Sequence, residues 1–248
     1  MFYIINSDNI KINVIAGDKV VVILFNKIVC IGDSITKGKV WKENERKPYI
    51  TEMSYPSILQ KLLCVDVKNY GICDITSRQI LENIPGIRDF NRESAVILEI
   101  GGNDCNLNWK NIKRNPHGSH EAAIPLEGFK NNLQKIVDTV KNFECAPLIC
   151  TLPPLDPDRY YNLLKRVFGE SIKLWIDKNG GIFNWQERYS NAVKEIAKKT
   201  GAYLIDIREA FLNTVDYRKY ISIDGIHPNE DGYHLIARTC LDALKSIF

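Results

Sequence analysis

A chain of 248 residues, 45% of them hydrophobic, can bury one large core, and a single α/β domain fits that length better than two. Its 33 basic and 30 acidic residues leave a formal charge of only +3, which excludes the strong basic field that nucleic acid or an anionic membrane surface selects. Seven cysteines, an odd number spread over strand-like and loop-like stretches, suit a reducing compartment better than a disulfide framework. Met1-Phe2-Tyr3 lacks the basic opening of a secretory signal, and the longest apolar run, Val20 to Phe25, is too short to span a bilayer. The expectation is a cytoplasmic chain with no nucleic-acid partner and no membrane insertion.

Ile10, Ile12 and Val14 alternate with polar residues, and Gly17-Asp18 interrupts before Val20 to Phe25, a hairpin pattern. Residues 1–26 are therefore expected as a β-hairpin extension covering a sheet edge, with added edge strands or an oligomer contact as the alternatives, ahead of a main domain at 27–248. Ile28 to Ile31 is a buried-strand run that stops at Gly32, leaving Ser34 in the next turn. In an open parallel sheet, ligands bind beyond the carboxyl ends of the strands, so this hydroxyl is well placed for chemistry; Ser after Gly-Asp is also ordinary turn chemistry. Lys37 to Lys47 reads as a solvated loop, and Gly32 to Lys39 has the wrong glycine spacing for a phosphate-binding loop. A helix opening at Ser54-Tyr55-Pro56, a strand from Cys64 to Asn69 and a short helix from Ser77 to Ile84 follow. Ala95 to Ile100 suits a strand covered on both faces, except for Glu99, which either meets a structural partner or supports the site from below.

Cys105 to Pro125 reads as a loop carrying Trp109, His117 and His120. The two histidines lack Cys or acidic ligands at metal spacing, so no metal is expected there. Phe129, Leu133, Ile136, Val137 and Val140 give a helix leading into a strand at Ala146 to Thr151. From Pro153 to Trp185 the pattern loosens, with seven aromatics from Tyr160 to Tyr189; most are expected to pack an extra helix, while Trp109 and Trp185 are the candidates to face substrate. Tyr189, Ala192, Val193, Ile196 and Ala197 form an amphipathic helix stopped by Gly201, and Ala202 to Ile207 is the next strand. A last helix, with Asn229 as its cap candidate, turns Tyr233, Ile236, Ala237, Cys240, Leu241 and Leu244 to the core and leaves His234 off that stripe. Alternating strands and helices imply a right-handed, mostly parallel sheet.

Gly32-Asp33-Ser34-Ile35, Asn69-Tyr70-Gly71, Gly101-Gly102-Asn103-Asp104 and Asp224-Gly225-Ile226-His227-Pro228 resemble, in order, the four sequence blocks of the SGNH hydrolases, the GDSL esterase/lipase family. The resemblance implies a three-layer α/β/α sandwich with a five-stranded, mostly parallel sheet, the flavodoxin-like SGNH hydrolase fold. It also implies Ser34, Asp224 and His227 as catalytic residues, an oxyanion hole from the Ser34 and Gly71 N–H groups and the Asn103 amide, and no cofactor. The residues support that reading by themselves. A serine hydroxyl needs a neighbouring base, Pro228 holds His227 extended, and Asp224, three positions earlier, can curl back to orient the imidazole. The expected substrate is a short-chain, acetyl-type ester of a small molecule or carbohydrate, hydrolysed through an acyl-enzyme. A lysophospholipase or thioesterase of the same family, and a non-catalytic ligand-binding protein, are the alternatives.

Overall fold

The computed structural model describes residues 12–16, 19–23, 25–42, 47–63 and 65–246, the first two segments as backbone. Strands β1 (Ile12–Ala16) and β2 (Lys19–Ile23) pair antiparallel, as the alternating pattern predicts; Ile10 and the Gly17-Asp18 turn lie outside the described residues. They form a separate two-stranded sheet rather than extending the main one.

The main chain path then runs β3 (Lys27–Gly32), α1 (Ser34–Lys37), a short antiparallel pair β4 (Lys39–Val40) and β5 (Tyr49–Ile50), α2 (Tyr55–Leu62), β6 (Asp66–Gly71), α3 (Ser77–Asn83) and β7 (Ser94–Glu99). It continues through α4 (Trp109–Arg114), α5 (Leu126–Asn142), β8 (Ala146–Cys150), α6 (Pro157–Phe168), α7 (Ile172–Lys178), α8 (Ile182–Thr200), β9 (Tyr203–Ile205), α9 (Ile207–Leu212) and α10 (Glu230–Ser246). The five-stranded sheet has the order β6-β3-β7-β8-β9, every pair parallel, so the chain leaves β3 for β6 on one side and returns to β7 on the other. That reversal opens a crevice at the carboxyl ends of β3 and β7, the place where this topology binds ligands.

Each strand feeds two cores by its period of two. Ile28 and Cys30 of β3, with Ala95 and Ile97 of β7, pack under α2 and α10 against Tyr55, Leu59, Tyr233 and Ile236. Val29 and Ile31, with Val96 and Leu98, meet Ile80 of α3, Phe129 and Leu133 of α5 and Val193 of α8 on the other face. The sheet is thus the middle of three layers, and β7 is buried at every position, as an apolar run covered on both sides requires.

A third apolar cluster lies over the crevice. It joins Trp109 and Ile112 of α4, Leu164 of α6, Ile172, Trp175 and Ile176 of α7 and Ile182 of α8. The structure corrects the sequence expectation at two places. The stretch read as a loop from Cys105 to Pro125 contains α4, capped by the Asn108 side chain on the Asn111 N–H, and the loose stretch from Pro153 to Trp185 contains α6, α7 and the first turn of α8. The helices α4 and α7 are short, and α4, α6 and α7 pack on one another rather than on the sheet, so the period that marks a sheet-covering helix is hard to read in this stretch. The strand expected at Ala202 to Ile207 is shorter, since Asp206 caps α9 by accepting from the Glu209 N–H. Of the expected 37–47 loop, Lys39 and Val40 are paired strand, and residues 43–46 lie outside the described residues. Among the described residues no helix is long and apolar enough to cross a membrane.

Candidate active site

Ser34 is the first residue of α1, presented by a turn that Asp33 caps: its Oδ1 accepts from the Ile35 N–H at 2.9 Å. The Ser34 N–H heads the helix, where no helical carbonyl can take it, and is left as a donor at the helix mouth. Ser34 Oγ lies 2.9 Å from His227 Nε2, across 193 residues of sequence. His227 Nδ1 in turn meets Asp224 Oδ2 at 2.5 Å. The second oxygen of Asp224 accepts from the Ile226 and His227 N–H groups at 3.0 and 3.2 Å, so the carboxylate folds its own loop around the ring it orients. Burial works to raise the Asp224 pKa, but the hydrogen bond and charge of His227 outweigh it and hold the group below the ordinary carboxylate value.

The loop carrying these two residues is pinned on both sides. Ser222 and His227 are joined backbone to backbone at 2.7 Å, and the Gly225 carbonyl accepts from the Asp156 N–H at 2.8 Å, at the start of α6. Gly225 has φ +78, and a Cβ there would come within 2.4 Å of the Tyr160 nitrogen, so only glycine fits both the turn and the contact. Arg159 fastens the same junction, pairing with Asp156 at 3.2 Å and donating to the Ile221 carbonyl at 2.8 Å.

Asn103 follows β7, and its Nδ2 donates to the Ile75 carbonyl at 2.9 Å and, more loosely, to Asp33 Oδ2 at 3.4 Å. Its neighbour Asp104 is buried and accepts from the N–H and hydroxyl of Ser77, which fixes the start of α3. Ser34, Asn103 and His227 border one cavity of about 200 Å³. Trp109 and Trp185 border it too, with their indole N–H groups already donated to Asn106 Oδ1 and to the Cys105 carbonyl, so they offer ring surface rather than hydrogen bonds.

Gly71 is not brought to this cavity. Its N–H donates to Asn69 Oδ1 at 2.8 Å, and a Cβ at this position would come within 2.2 Å of the Lys37 nitrogen. The missing side chain lets α1 lie on the end of β6, and that packing is what the glycine serves. The residue that does border the cavity from this loop is Asp74, a non-glycine with φ +62, whose N–H meets no acceptor among the described residues. Glycine is the wrong marker here; Asp is among the few other residues that enter the left-handed region readily. Gln186 is a further residue that sequence reasoning misses. It borders the cavity from α8 with its amide oriented by two partners, Arg208 Nη1 at 2.6 Å and the Pro153 carbonyl at 2.8 Å, a placement that exists only once α8 and α9 pack.

His120 bonds the Asn115 carbonyl at 2.7 Å and sits edge-on to Trp175, while the His117 carbonyl accepts from Lys178. His234 is exposed on α10.

Known proteins resemble this chain in sequence and in fold. The uncharacterized protein YpmR of Bacillus subtilis is 27% identical over 230 residues, 88% of this chain and 81% of that protein. An acetylxylan esterase of Xylanibacter ruminicola is 26% identical over 237 residues, 88% of this chain and 43% of that longer protein. Among solved structures, a lipase/acylhydrolase from Enterococcus faecalis superposes with a TM-score of 0.64 at 18% identity, covering 90% of this chain and 97% of that one, a likeness of fold. The GDSL-like lipase/acylhydrolase family matches residues 30–235, which span the Ser34 turn, the loops after β6 and β7 and the loop before α10, and the chain belongs to that family.

Proposed function

We propose that this chain is a serine esterase that hydrolyses short-chain, acetyl-type esters of a small molecule or carbohydrate through an acyl-enzyme. The observation that carries the reading is the alignment of Ser34 Oγ, His227 and Asp224 at 2.9 and 2.5 Å on the border of a cavity. In this reading His227 Nε2 takes the Ser34 proton as Oγ attacks the ester carbonyl, and Asp224 fixes the tautomer and stabilises the imidazolium. The negative charge that forms on the carbonyl oxygen is met by the Ser34 N–H, the Asn103 amide and the Asp74 N–H, the last in place of Gly71. His227 then returns the proton to the leaving alcohol, and a water activated by the same ring releases the acyl group.

The acetyl preference draws support from the acetylxylan esterase relative and from Trp109 and Trp185, whose ring faces suit a sugar. The cavity also favours a second reading. About 200 Å³ exceeds the roughly 150 Å³ that admits benzene, so a longer acyl chain fits, as in a lysophospholipase or thioesterase. The free thiols of Cys30, Cys73, Cys105, Cys145, Cys150 and Cys240 support a cytoplasmic setting. Residues 27–248 would form the catalytic domain and 1–26 an extension.

A p-nitrophenyl ester series from acetyl to octanoyl, run with a serine-directed phosphonate, tests the reading. Acetyl esters are expected to turn over fastest, the phosphonate to label Ser34, and Ser34→Ala to abolish both without unfolding the chain. Each methylene that finds a matching pocket is worth about 0.8 kcal/mol, so an octanoyl preference would be unmistakable and would select the second reading. No turnover and no labelling, with a ligand still raising the melting temperature, would leave a non-catalytic binding protein.

A further inference from the structure

Glu99 ends β7 with a side chain that is 0% exposed, and neither carboxyl oxygen has a hydrogen-bond partner among the described residues. The parallel register sets it directly opposite Gly32, beside the turn that carries Asp33 and Ser34. The two strands approach closely here: a Cβ on Gly32 would lie 2.2 Å from the Glu99 carbonyl. The ionisable groups that face Glu99 are Asp33 from the nucleophile turn, Cys240 and Tyr233 from α10, and Cys150 from β8. None is a cation. An isolated carboxylate in such a place is strongly disfavoured, so Glu99 keeps its proton; burial and then the charge of Asp33 push its pKa well above the ordinary value. A protonated carboxyl is a donor, which accounts for the lack of any donor aimed at it. The carboxylate that it couples to most strongly is Asp33.

Asp33 is itself buried, with Oδ1 on the Ile35 N–H at 2.9 Å and Oδ2 at 3.4 Å from the Asn103 amide. We propose that Glu99 is a positioning residue of the esterase site: its protonated carboxyl turns its O–H toward Asp33 and holds it as the anion that caps α1 under Ser34 and steadies the Asn103 amide. The inference rests on the esterase reading above. Burial raises the Asp33 pKa from 3.8 to about 6, with the Ile35 N–H and His227 pulling it down and Asp104 and Asp74 pushing it up. A donor from Glu99 stabilises the anion, so loss of that donor moves the Asp33 pKa upward and the acid limb of activity with it.

The test uses the full chain with p-nitrophenyl acetate and the variants Glu99→Leu and Glu99→Gln. Leucine spares the burial of a polar carboxyl but leaves the Asp33 carboxylate without that donor, two effects of opposite sign, so the variant's unfolding temperature is expected to stay near that of the unaltered protein. Its kcat is expected to fall roughly tenfold or more at unchanged KM, and its acid limb to move up by about one pH unit. Glu99→Gln still presents an N–H to Asp33 and is expected to recover most of the kcat and the original limb. A residue that merely fills space would lose stability and activity together. Carboxyl-carbon NMR of the unaltered protein gives a reading that needs no variant to fold: the Glu99 signal is expected to be that of the protonated acid at neutral pH. An ionised Glu99, or a folded Glu99→Leu with unaltered kcat and acid limb, overturns the proposal. Absence of turnover and of phosphonate labelling in the unaltered protein would instead strike the esterase reading, with the NMR signal still deciding where the proton sits.

Discussion

Asn103 holds its amide between two acceptors, a firm one at the Ile75 carbonyl and a long one at Asp33, so one N–H is available to a developing oxyanion at little cost. Asn103→Ala is therefore expected to lower kcat by roughly 10²- to 10³-fold with KM nearly unchanged, because the amide matters most once charge has formed. A change confined to KM would make it a substrate-binding residue instead. Asp74 is the companion case. Its contribution in this reading is a backbone N–H at φ +62, so Asp74→Gly retains the donor and removes a left-handed penalty of roughly 1 kcal/mol. That variant is expected to keep its turnover and to unfold at a slightly higher temperature; a tenfold loss of kcat would assign the role to the carboxylate. Ser34, Asp224, His227 and Asn103 are legible because side-chain chemistry announces itself in sequence. A backbone donor does not, and so the sequence points to Gly71 where Asp74 borders the cavity.

The helices over the crevice divide their aromatic residues between packing and the cavity wall. Trp175 of α7 is enclosed and stands edge-on to both Trp109 and Trp185, at 6.2 and 5.1 Å between ring centroids, without bordering the cavity. Trp185 borders the cavity and is anchored by its bond to the Cys105 carbonyl. Trp175→Ala is expected to cost about 3–5 kcal/mol of stability, the loss typical of an emptied core ring. Trp185→Ala is expected to alter the acyl-chain preference among p-nitrophenyl esters more than the rate of Ser34 labelling by a small phosphonate. Equal losses in both assays would mean that Trp185, like Trp175, is packing. The aromatic density from Tyr160 to Tyr189 and the candidacy of Trp109 and Trp185 for the cavity wall are visible in the sequence, but the contacts that hold the rings are not. Phe183 stacks on Arg208 at 4.4 Å, and Tyr189 reaches across to the Ile124 carbonyl, contacts fixed by helices that no local pattern orders in space.

Across the whole molecule, the buried acids near the crevice set stability against activity as pH changes. Asp33, Glu99 and Asp104 all have pKa values raised by burial, so the folded state binds their protons more tightly than the unfolded chain does. Their sign is that stability increases as pH falls, for Asp33 through the window from about 6 down to 3.8. Asp224, held low, acts in the opposite sense: its contribution is present above the ordinary value and is lost as pH falls through its lower folded value. The unfolding temperature is accordingly expected to hold or rise between about pH 7 and 5 while esterase activity declines, as Asp33 takes up its proton. A scan of melting temperature against pH that falls steadily over that range would contradict this balance. The sequence by itself determined the alternation of strands and helices, the two-faced burial of β7 and the identity of the side chains proposed to react, because period, apolarity and functional groups are local properties. Tertiary structure alone decided which backbone N–H borders the cavity, how Trp109 and Trp185 are anchored at its wall, and that Glu99 lies opposite Gly32 beside Asp33. Each of those depends on strand register and on helices packing across a sheet, and the residues concerned are brought together from distant parts of the chain.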